Sequence, residues 1–298
     1  DADNKPSYWP RGKVLGGSSS INAMVYVRGN PKDFDDWSEM GNPGWSYRDV
    51  LPYFKKMESW QKGSDAYRGG DGPLNVSEVS EQLHPLCHNF LSAAQEIGIG
   101  LNKDMNGATQ EGVGNYQITT HRGQRMSSSR AYLWPIKGRK NLTIIKNALA
   151  SRVLIKDKKA YGVEYLKSGK KQQVFAHCEV ILSAGSINSP HLLQLSGVGP
   201  KNTLKQASVP IVHESPAVGE NLQDHLGVSY FYKSKVPTLN DQLRPFLGKI
   251  YQGLRYICTR TGPLSLSVNQ SGGFIRTRDT LEKPNIQLYF SPVSYSLE

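Results

Sequence analysis

The sequence predicts an α/β fold of the mixed (α+β) kind. Three observations lead to this prediction: helical periods before residue 100, short strands joined by Lys/Gly turns after residue 141, and an apolar strand, Gly turn and helix after residue 179. The chain has 298 residues, of which 38% are hydrophobic and 20% charged. This composition is typical of a globular protein with one or two domains.

The N-terminal part predicts a loop followed by helices. Residues 1–30 are rich in Gly and Ser and predict an extended loop. Helices are then predicted at residues 33–40, 46–59 and 81–97. The second of these has a start that resembles a capping box, because Asp49 follows Ser46 at the required spacing.

The middle of the chain changes to strand patterns. Short strands at residues 142–145, 152–155, 161–165 and 173–176 predict an antiparallel meander. Residues 179–183 (EVILS) are largely apolar, as in a strand buried in a parallel sheet.

A Gly turn and a helix follow this strand. Ser189 is the predicted N-cap of the helix and Pro190 its first residue. A strand, Gly turn and helix in this order can present backbone N–H groups to a phosphate or a ribose.

The last part of the chain predicts the start of a second domain. A strand is predicted at residues 228–232, a helix at 240–260, and two further strands at 272–276 and 286–290. The predicted domains are therefore residues 1–225 and 226–298.

The net charge of +11 does not by itself indicate a nucleic-acid partner. The lysines are dispersed, and their nearest clusters, 156–159 and 167–171, fall at predicted hairpin turns, which are usually polar. Aromatic residues are not interleaved with basic ones in the way that stacks bases. We therefore expect no nucleic-acid partner.

Cysteine and hydropathy patterns argue against metal, disulfide and membrane-spanning classes. Cys87, Cys178 and Cys258 are isolated and predict small buried residues in a reducing compartment, which we expect to be the cytoplasm. No Cys/His spacing indicates a metal site. No apolar run reaches the length that spans a membrane, so no integral membrane segment is expected.

The densest local signal lies at residues 12–22 (GKVLGGSSSIN), which we call the Gly/Ser loop. Gly16 and Gly17 remove side-chain bulk, and the serines that follow offer hydroxyl and N–H donors. A large flat or phosphorylated ligand could approach such a backbone closely. A flexible surface loop has the same composition, however, and the segment is not the GxGxxG fingerprint of dinucleotide-binding folds.

Several motifs in a fixed order narrow the choice. The Gly/Ser loop, continued through residues 26–30, resembles the first signature of the glucose–methanol–choline (GMC) oxidoreductases. Residues 184–199 (AGSINSPHLLQLSGVG) resemble the second signature, and residues 218–225 (VGENLQDH) a third block of that family. Residues 267–276 (SVNQSGGFIR) are similar to the choline-dehydrogenase-like members.

The resemblance implies an FAD-dependent oxidoreductase that acts on CH–OH groups. It implies an FAD-binding Rossmann-like domain with an antiparallel meander at residues 1–225, and the start of a sheet-based substrate domain at 226–298. Its partners would be a small-molecule alcohol and an electron acceptor: a quinone, another carrier or oxygen. The alternative is a non-catalytic relative that serves as a binding or scaffold protein.

The resemblance also implies which residues meet the cofactor. Residues along the FAD, around the flavin ring and at the adenine would be Val14, Gly16, Gly17, Ser18, Ser19, Asn22, Ala23, Met24, Val25 and Val153. Some members of the family attach the flavin through a His, but the matching position here is Ile21, so we expect non-covalent FAD. Two bland alternatives stay open: Asn22 could simply cap a turn, and Val153 could simply be a core residue.

The resemblance further implies a fragment that lacks both ends of the family's fold. The family's first strand–turn–helix unit, which binds the FAD diphosphate, matches nothing in this chain. The family's catalytic His lies near the C-terminus, so we expect the catalytic residues beyond Glu298 and name none here. We expect the 298-residue chain alone to bind FAD poorly, to be inactive and to expose an unpaired sheet edge.

Overall fold

The computed structural model describes residue 6 and residues 8–294. In these residues the α-helices are α1 (Pro31–Glu39), α2 (Tyr47–Met57), α3 (Leu86–Glu96), α4 (Gly185–Leu195), α5 (Lys201–Gln206), α6 (Leu239–Leu243) and α7 (Phe246–Thr259). The strands are β1 (Glu58–Trp60), β2 (Leu74–Val76), β3 (Gly112–Asn115), β4 (Thr120–His121), β5 (Gln124–Arg125), β6 (Ala148–Lys156), β7 (Lys159–Lys167), β8 (Lys170–Phe175), β9 (Val198–Gly199), β10 (His213–Glu214), β11 (Ser271–Ile275) and β12 (Ile286–Phe290). The predicted mixed α/β class is confirmed.

The chain divides into two units. The first combines residues 1–139 with residues 231–298, and the second consists of residues 140–230. The predicted domains, 1–225 and 226–298, follow a change in the sequence pattern near residue 226, and these units do not follow that boundary. The assignment of roles to 1–225 and 226–298 stays a prediction.

The first helices of unit one begin where their caps lie. The Asn30 side chain accepts a hydrogen bond from the Lys32 N–H, the Asp33 carboxylate accepts one from the Asn30 N–H, and Pro31 is the first helical residue. Helix α1 therefore begins two residues before the predicted start. Helix α2 is capped by Ser46 as predicted, since the Ser46 hydroxyl accepts the Asp49 N–H at 3.4 Å.

Two predicted helices are broken at proline. The prediction of one helix over residues 81–97 is wrong, because a 3-10 turn at Ser80–Gln82 ends before Pro85 and α3 begins at Leu86. The predicted helix at 240–260 is likewise divided into α6 and α7 at Pro245. At the first break Leu83 is extended and Pro85 is the N-cap of α3. At the second break Arg244 keeps helical angles, while Pro245 itself is extended (ψ 142°) and is the N-cap of α7. Proline has no N–H with which to continue the hydrogen-bond ladder of a helix, so each helix restarts after it.

The sheets of unit one include an antiparallel sheet in the order β12–β11–β3, a parallel pair β1–β2 and the hairpin β4–β5. The predicted strands at 272–276 and 286–290 are confirmed as β11 and β12. Buried side chains form two clusters: Met24, Val79, Ile118 and Leu266 in one, and Tyr26, Trp60 and Val76 in the other. Both clusters contain a residue from the segment that follows the Gly/Ser loop.

Unit two contains the predicted antiparallel meander, β6–β7–β8, with Lys/Gly turns between its strands. The strands predicted at 142–145, 179–183 and 228–232 are not formed. Within the described residues none of these segments pairs with another strand, and Ile181 is 75% exposed. An apolar run becomes a strand only where a neighbour completes its hydrogen-bond ladder.

Helix α4 begins earlier than predicted. It starts at Gly185, so Pro190 lies inside the helix and Ser189 is not its N-cap. The Ser189 hydroxyl instead accepts the Ala184 N–H at 3.0 Å, which satisfies a backbone group at the true start from within the first turns.

The cysteine prediction holds at only one of three positions. Cys87 is buried, whereas Cys178 and Cys258 are exposed, and all three are free thiols. The expectation of buried core cysteines is therefore wrong for Cys178 and Cys258. An apolar sequence neighbourhood does not bury a residue when the chain around it lies at the surface.

Candidate functional site

The Gly/Ser loop lies in unit one and folds into a tight turn followed by a 3-10 turn at Gly17–Ser20. Gly16 and Gly17 have φ values of 93° and 56°, in the left-handed region that favours glycine. A Cβ on Gly12 would lie 2.2 Å from the Gly17 carbonyl oxygen, and one on Gly16 would lie 2.7 Å from the Ser20 Oγ. A Cβ on Gly17 would meet nothing within 4 Å. Gly12 and Gly16 therefore allow the loop to fold, and Gly17 leaves an open face.

The serine hydroxyls of the loop stabilise its own backbone. The bonds are Gly12 N–H to Ser18 Oγ at 3.3 Å, Ser19 Oγ to the Gly16 carbonyl at 2.5 Å, and Ser20 Oγ to the Leu15 carbonyl at 3.0 Å. The sequence led us to expect hydroxyl donors free for a ligand, and that expectation is wrong for Ser19 and Ser20. Their role in the described structure is to hold the loop in one conformation.

A second segment, residues 125–129, packs against the loop and was missed in the sequence. The Ser128 N–H donates to the Ser19 Oγ at 2.9 Å. Arg125 Nη1 donates both to the Ser19 carbonyl at 3.2 Å and to the Asn22 Oδ1 at 2.8 Å. The signal that could have identified this segment is its run of three serines at 127–129, which repeats the run at 18–20.

Met24 is held in a strained backbone conformation next to the loop. Its φ is 64°, which costs a residue other than glycine about 1 kcal/mol or more. The Met24 N–H donates to Asn22 Oδ1 at 3.1 Å, and the Met24 carbonyl accepts the Thr119 N–H at 2.8 Å. Asn22 therefore does cap a turn, as the bland alternative held. This bonding fixes the path of residues 22–25.

The Gly/Ser loop also carries exposed apolar side chains. Val14, Leu15 and Ile21 are 59%, 45% and 51% exposed. An exposed apolar surface beside a backbone without side-chain bulk suits a flat, partly apolar ligand. Of the other residues that the resemblance implies, Ala23 and Val25 are half-buried and follow directly along the chain.

Val153 lies in unit two, on β6, and is 5% exposed. Its N–H donates to the Ser196 Oγ at 2.8 Å, and the Ser196 hydroxyl donates to the Leu192 carbonyl at 2.6 Å. This pair of bonds attaches α4 to the meander. Val153 is a core residue here and its N–H is already bonded, so the predicted adenine contact stays a prediction.

Beyond Met24, the chain of unit one enters a cluster that we call the buried charged network: Arg28, Glu58, Arg68 and Asp104. Glu58 and Arg68 are 0% exposed and Arg28 is 6% exposed. Glu58 forms ion pairs with both arginines, and Arg68 Nη1 binds Asp104 at 2.7 Å. Two positive and two negative side chains make the network neutral.

The environment of Arg68 keeps it charged. Burial would lower the pKa of the Arg68 guanidinium, but hydrogen bonds and charge interactions with Glu58 and Asp104 more than offset this and raise the pKa. The guanidinium also lies over the Trp60 ring, with its central carbon 4.3 Å from the ring centroid. The network is thus a closed polar structure that supports the segment leading from the loop.

Residues 1–227 match the GMC oxidoreductase family. Because this match covers more than half of the chain, and the signature segments lie within it, the protein belongs to the GMC oxidoreductases.

Individual relatives refine this result. The chain is 48% identical over 294 residues to the oxygen-dependent choline dehydrogenase of Photobacterium profundum, covering 98% of this chain and 52% of that protein. It is 44% identical over 289 residues to an alcohol dehydrogenase (acceptor) of Pseudomonas putida, covering 96% of this chain and 52% of that protein. The chain spans about half the length of the curated relatives it matches.

The fold is similar to that of solved structures as well. An FAD-dependent oxidoreductase from Chaetomium thermophilum superposes with a TM-score of 0.81 at 30% identity, over 89% of this chain and 49% of that one. In the described residues no helix is long and apolar enough to cross a membrane. The same residues hold no cluster of three or more His, Cys, Asp or Glu side chains suited to a metal ion.

Proposed function

We propose that the whole protein is an FAD-dependent oxidoreductase that oxidises the CH–OH group of a small-molecule alcohol by transferring hydride to the flavin. The observation that carries this proposal is the GMC oxidoreductase match over residues 1–227, which includes the Gly/Ser loop. The relatives named choline dehydrogenase and alcohol dehydrogenase, and the fold neighbour named FAD-dependent, support it.

The Gly/Ser loop fits such a cofactor. Gly17 offers a face without side-chain bulk, and the exposed Val14 and Ile21 offer apolar surface to a flat ring. The residues that we propose to contact FAD in unit one are Val14, Gly16, Gly17, Ser18, Ser19, Asn22, Ala23, Met24 and Val25. Val153 is proposed to contact the adenine from unit two.

The chain's own residues would bind and orient the cofactor. When bound, FAD supplies the two-electron acceptor for the hydride. The Ser19 hydroxyl and the Asn22 amide keep the loop in one conformation, which lowers the entropy lost on binding. We propose non-covalent attachment because Ile21 carries a hydrocarbon side chain with no nucleophile. The catalytic residues stay predicted beyond Glu298.

The electron acceptor and the location belong to the same proposal. Oxygen, a quinone or another carrier could reoxidise the flavin, and the two relatives' names differ on this point. A reducing, cytoplasmic location is supported by the free thiols at Cys87, Cys178 and Cys258. Cell fractionation with an antibody to the protein would test the location directly.

The absorbance spectrum of the purified whole protein tests the function. We expect flavin bands that bleach when one member of a panel of alcohols, including choline, is added without oxygen. Precipitation with acid should release the flavin into the supernatant, whereas a yellow pellet would contradict non-covalent attachment. Flavin bands that no alcohol bleaches would favour the alternative, a binding or scaffold protein. A colourless protein that does not take up added FAD would refute the proposal.

A further inference from the structure

Arg125, on β5, has an unusual set of partners. A single nitrogen, Nη1, makes both of its side-chain hydrogen bonds, to the Ser19 carbonyl and to Asn22 Oδ1. Within the part of the chain that the structure describes, the Nε and Nη2 groups of Arg125 make no hydrogen bond and the guanidinium forms no ion pair. Arg125 therefore has three N–H donors, one on Nε and two on Nη2, that make no hydrogen bond to the described residues beside the Gly/Ser loop.

The surroundings of Arg125 disfavour an unpaired charge. Burial lowers the pKa of the Arg125 guanidinium, and a charge interaction with Tyr256 opposes this only in part. Arg68 and Arg28 are buried in the same unit, but each is paired with the Glu58 carboxylate. A partly desolvated guanidinium without a carboxylate partner is the state that an anionic ligand would stabilise.

We propose that Arg125 is a cofactor-binding residue: Nη1 fixes the Gly/Ser loop, and Nε and Nη2 donate to an anionic group of the bound FAD. This inference rests on the proposed function and adds a residue to its site. Two parts of FAD share the required chemistry. The diphosphate is anionic in every redox state, and the isoalloxazine ring becomes anionic when it is reduced.

The test uses the whole protein with Arg125→Gln, which keeps hydrogen-bonding capacity and removes the charge. If the diphosphate is the partner, we expect the Kd for oxidised FAD to rise about 10- to 100-fold, as a lost charge-assisted bond implies. If the reduced ring is the partner, the Kd for oxidised FAD should not change. The flavin midpoint potential should instead fall by about 30 mV for each tenfold loss of affinity for the reduced form.

Two further variants separate this role from a structural one. Arg125→Lys keeps the charge and should restore part of the lost affinity or potential. Arg122→Gln removes one charge from the exposed turn of the same β4–β5 hairpin and should change neither quantity. Urea unfolding of each apoprotein shows whether Arg125→Gln still folds. If it does not fold, the role of Arg125 is judged from the Kd and midpoint potential of Arg125→Lys compared with those of wild type.

The outcomes distinguish the two proposals. If wild-type protein binds FAD and Arg125→Gln matches it in both Kd and potential, the role of Arg125 is refuted while the proposed function stands. If Arg125→Gln and Arg122→Gln show equal losses while Arg125→Lys shows none, the effect is a general change in charge and the role is again refuted. If wild-type protein binds no FAD, the proposed function itself fails.

Discussion

Two polar regions of unit one use arginine in opposite ways. In the buried charged network, Arg28 and Arg68 share the Glu58 carboxylate, and Arg68 also binds Asp104, so every charge has an opposite neighbour. Beside the Gly/Ser loop, Arg125 on β5 binds only the Ser19 carbonyl oxygen and the Asn22 amide oxygen and forms no ion pair with a described residue.

The difference indicates that the buried charged network has a structural role, whereas Arg125 can bind a ligand. A charge-balanced cluster with no exposed donor is complete without a ligand, and removing one member leaves an uncompensated charge in a poorly solvated place. Arg125 keeps donors that the described residues do not use, and we propose that an anionic group of the cofactor binds to them. One short segment joins the two regions, since residues 23–25 follow the loop directly and Arg28 belongs to the network. The network can therefore fix the position of the segment that follows the Gly/Ser loop.

The largest expected effect comes from breaking the network. Glu58→Gln removes the carboxylate shared by the two buried arginines, and we expect the free energy of unfolding to fall by about 3–5 kcal/mol. Urea unfolding of the whole protein measures this loss. Glu111→Gln is the matched control, because Glu111 pairs with Arg276 at the surface and the change should be much smaller. Equal losses of unfolding free energy in the two variants would show that the buried network contributes no more to stability than the surface ion pair.

A smaller effect should separate two neighbouring glycines of the loop. In Gly16→Ala the new Cβ would lie 2.7 Å from the Ser20 Oγ, and alanine would also have to adopt an unfavourable φ of 93°. We expect the free energy of unfolding to fall by about 1–3 kcal/mol. Gly17→Ala meets open space, so its stability should fall by only about 1 kcal/mol from the positive φ.

The same pair of variants also tests the open face. Since the methyl group of Gly17→Ala would project where we propose FAD to lie, its loss of FAD affinity should exceed its loss of stability. Titration of the apoproteins with FAD, alongside urea unfolding, gives both quantities. The proposed binding face would be wrong if Gly17→Ala bound FAD as tightly as wild type.

The smallest effect concerns pH. Burial, followed by the Glu58 charge, raises the pKa of the Tyr26 phenol above its ordinary value of 10. The unfolded chain thus loses this proton first, so the contribution of Tyr26 to stability is present below pH 10 and is lost as the pH rises through the folded pKa.

Tyr26→Phe should flatten, without abolishing, the fall in stability above pH 10, because burial also raises the pKa of Tyr116 and Tyr289. Unfolding midpoints of wild type and variant from pH 8 to 11 measure the difference. Parallel pH profiles for wild type and variant would contradict the raised pKa of Tyr26.

Local signals predicted the elements that depend on neighbouring residues. The Ser46 cap, the Lys/Gly turns of the meander and the strands β11 and β12 were all correctly predicted. Local signals gave wrong predictions for two reasons. Proline interrupted periodic helices at Pro85 and Pro245, and residues 179–183 form no strand because no described strand pairs with them.

The family and the place of the Gly/Ser loop could be predicted from residue order, because ordered motifs and glycine spacing are properties of the chain alone. Which groups meet depends on the folded structure. It brought Arg125 to Ser19 and Asn22 across separations of 106 and 103 residues, and it placed Arg28 and Arg68 on one carboxylate. Capping and turn preferences act over a few residues, whereas these contacts depend on the path of the whole chain, which is set by burial and by the pairing of charges.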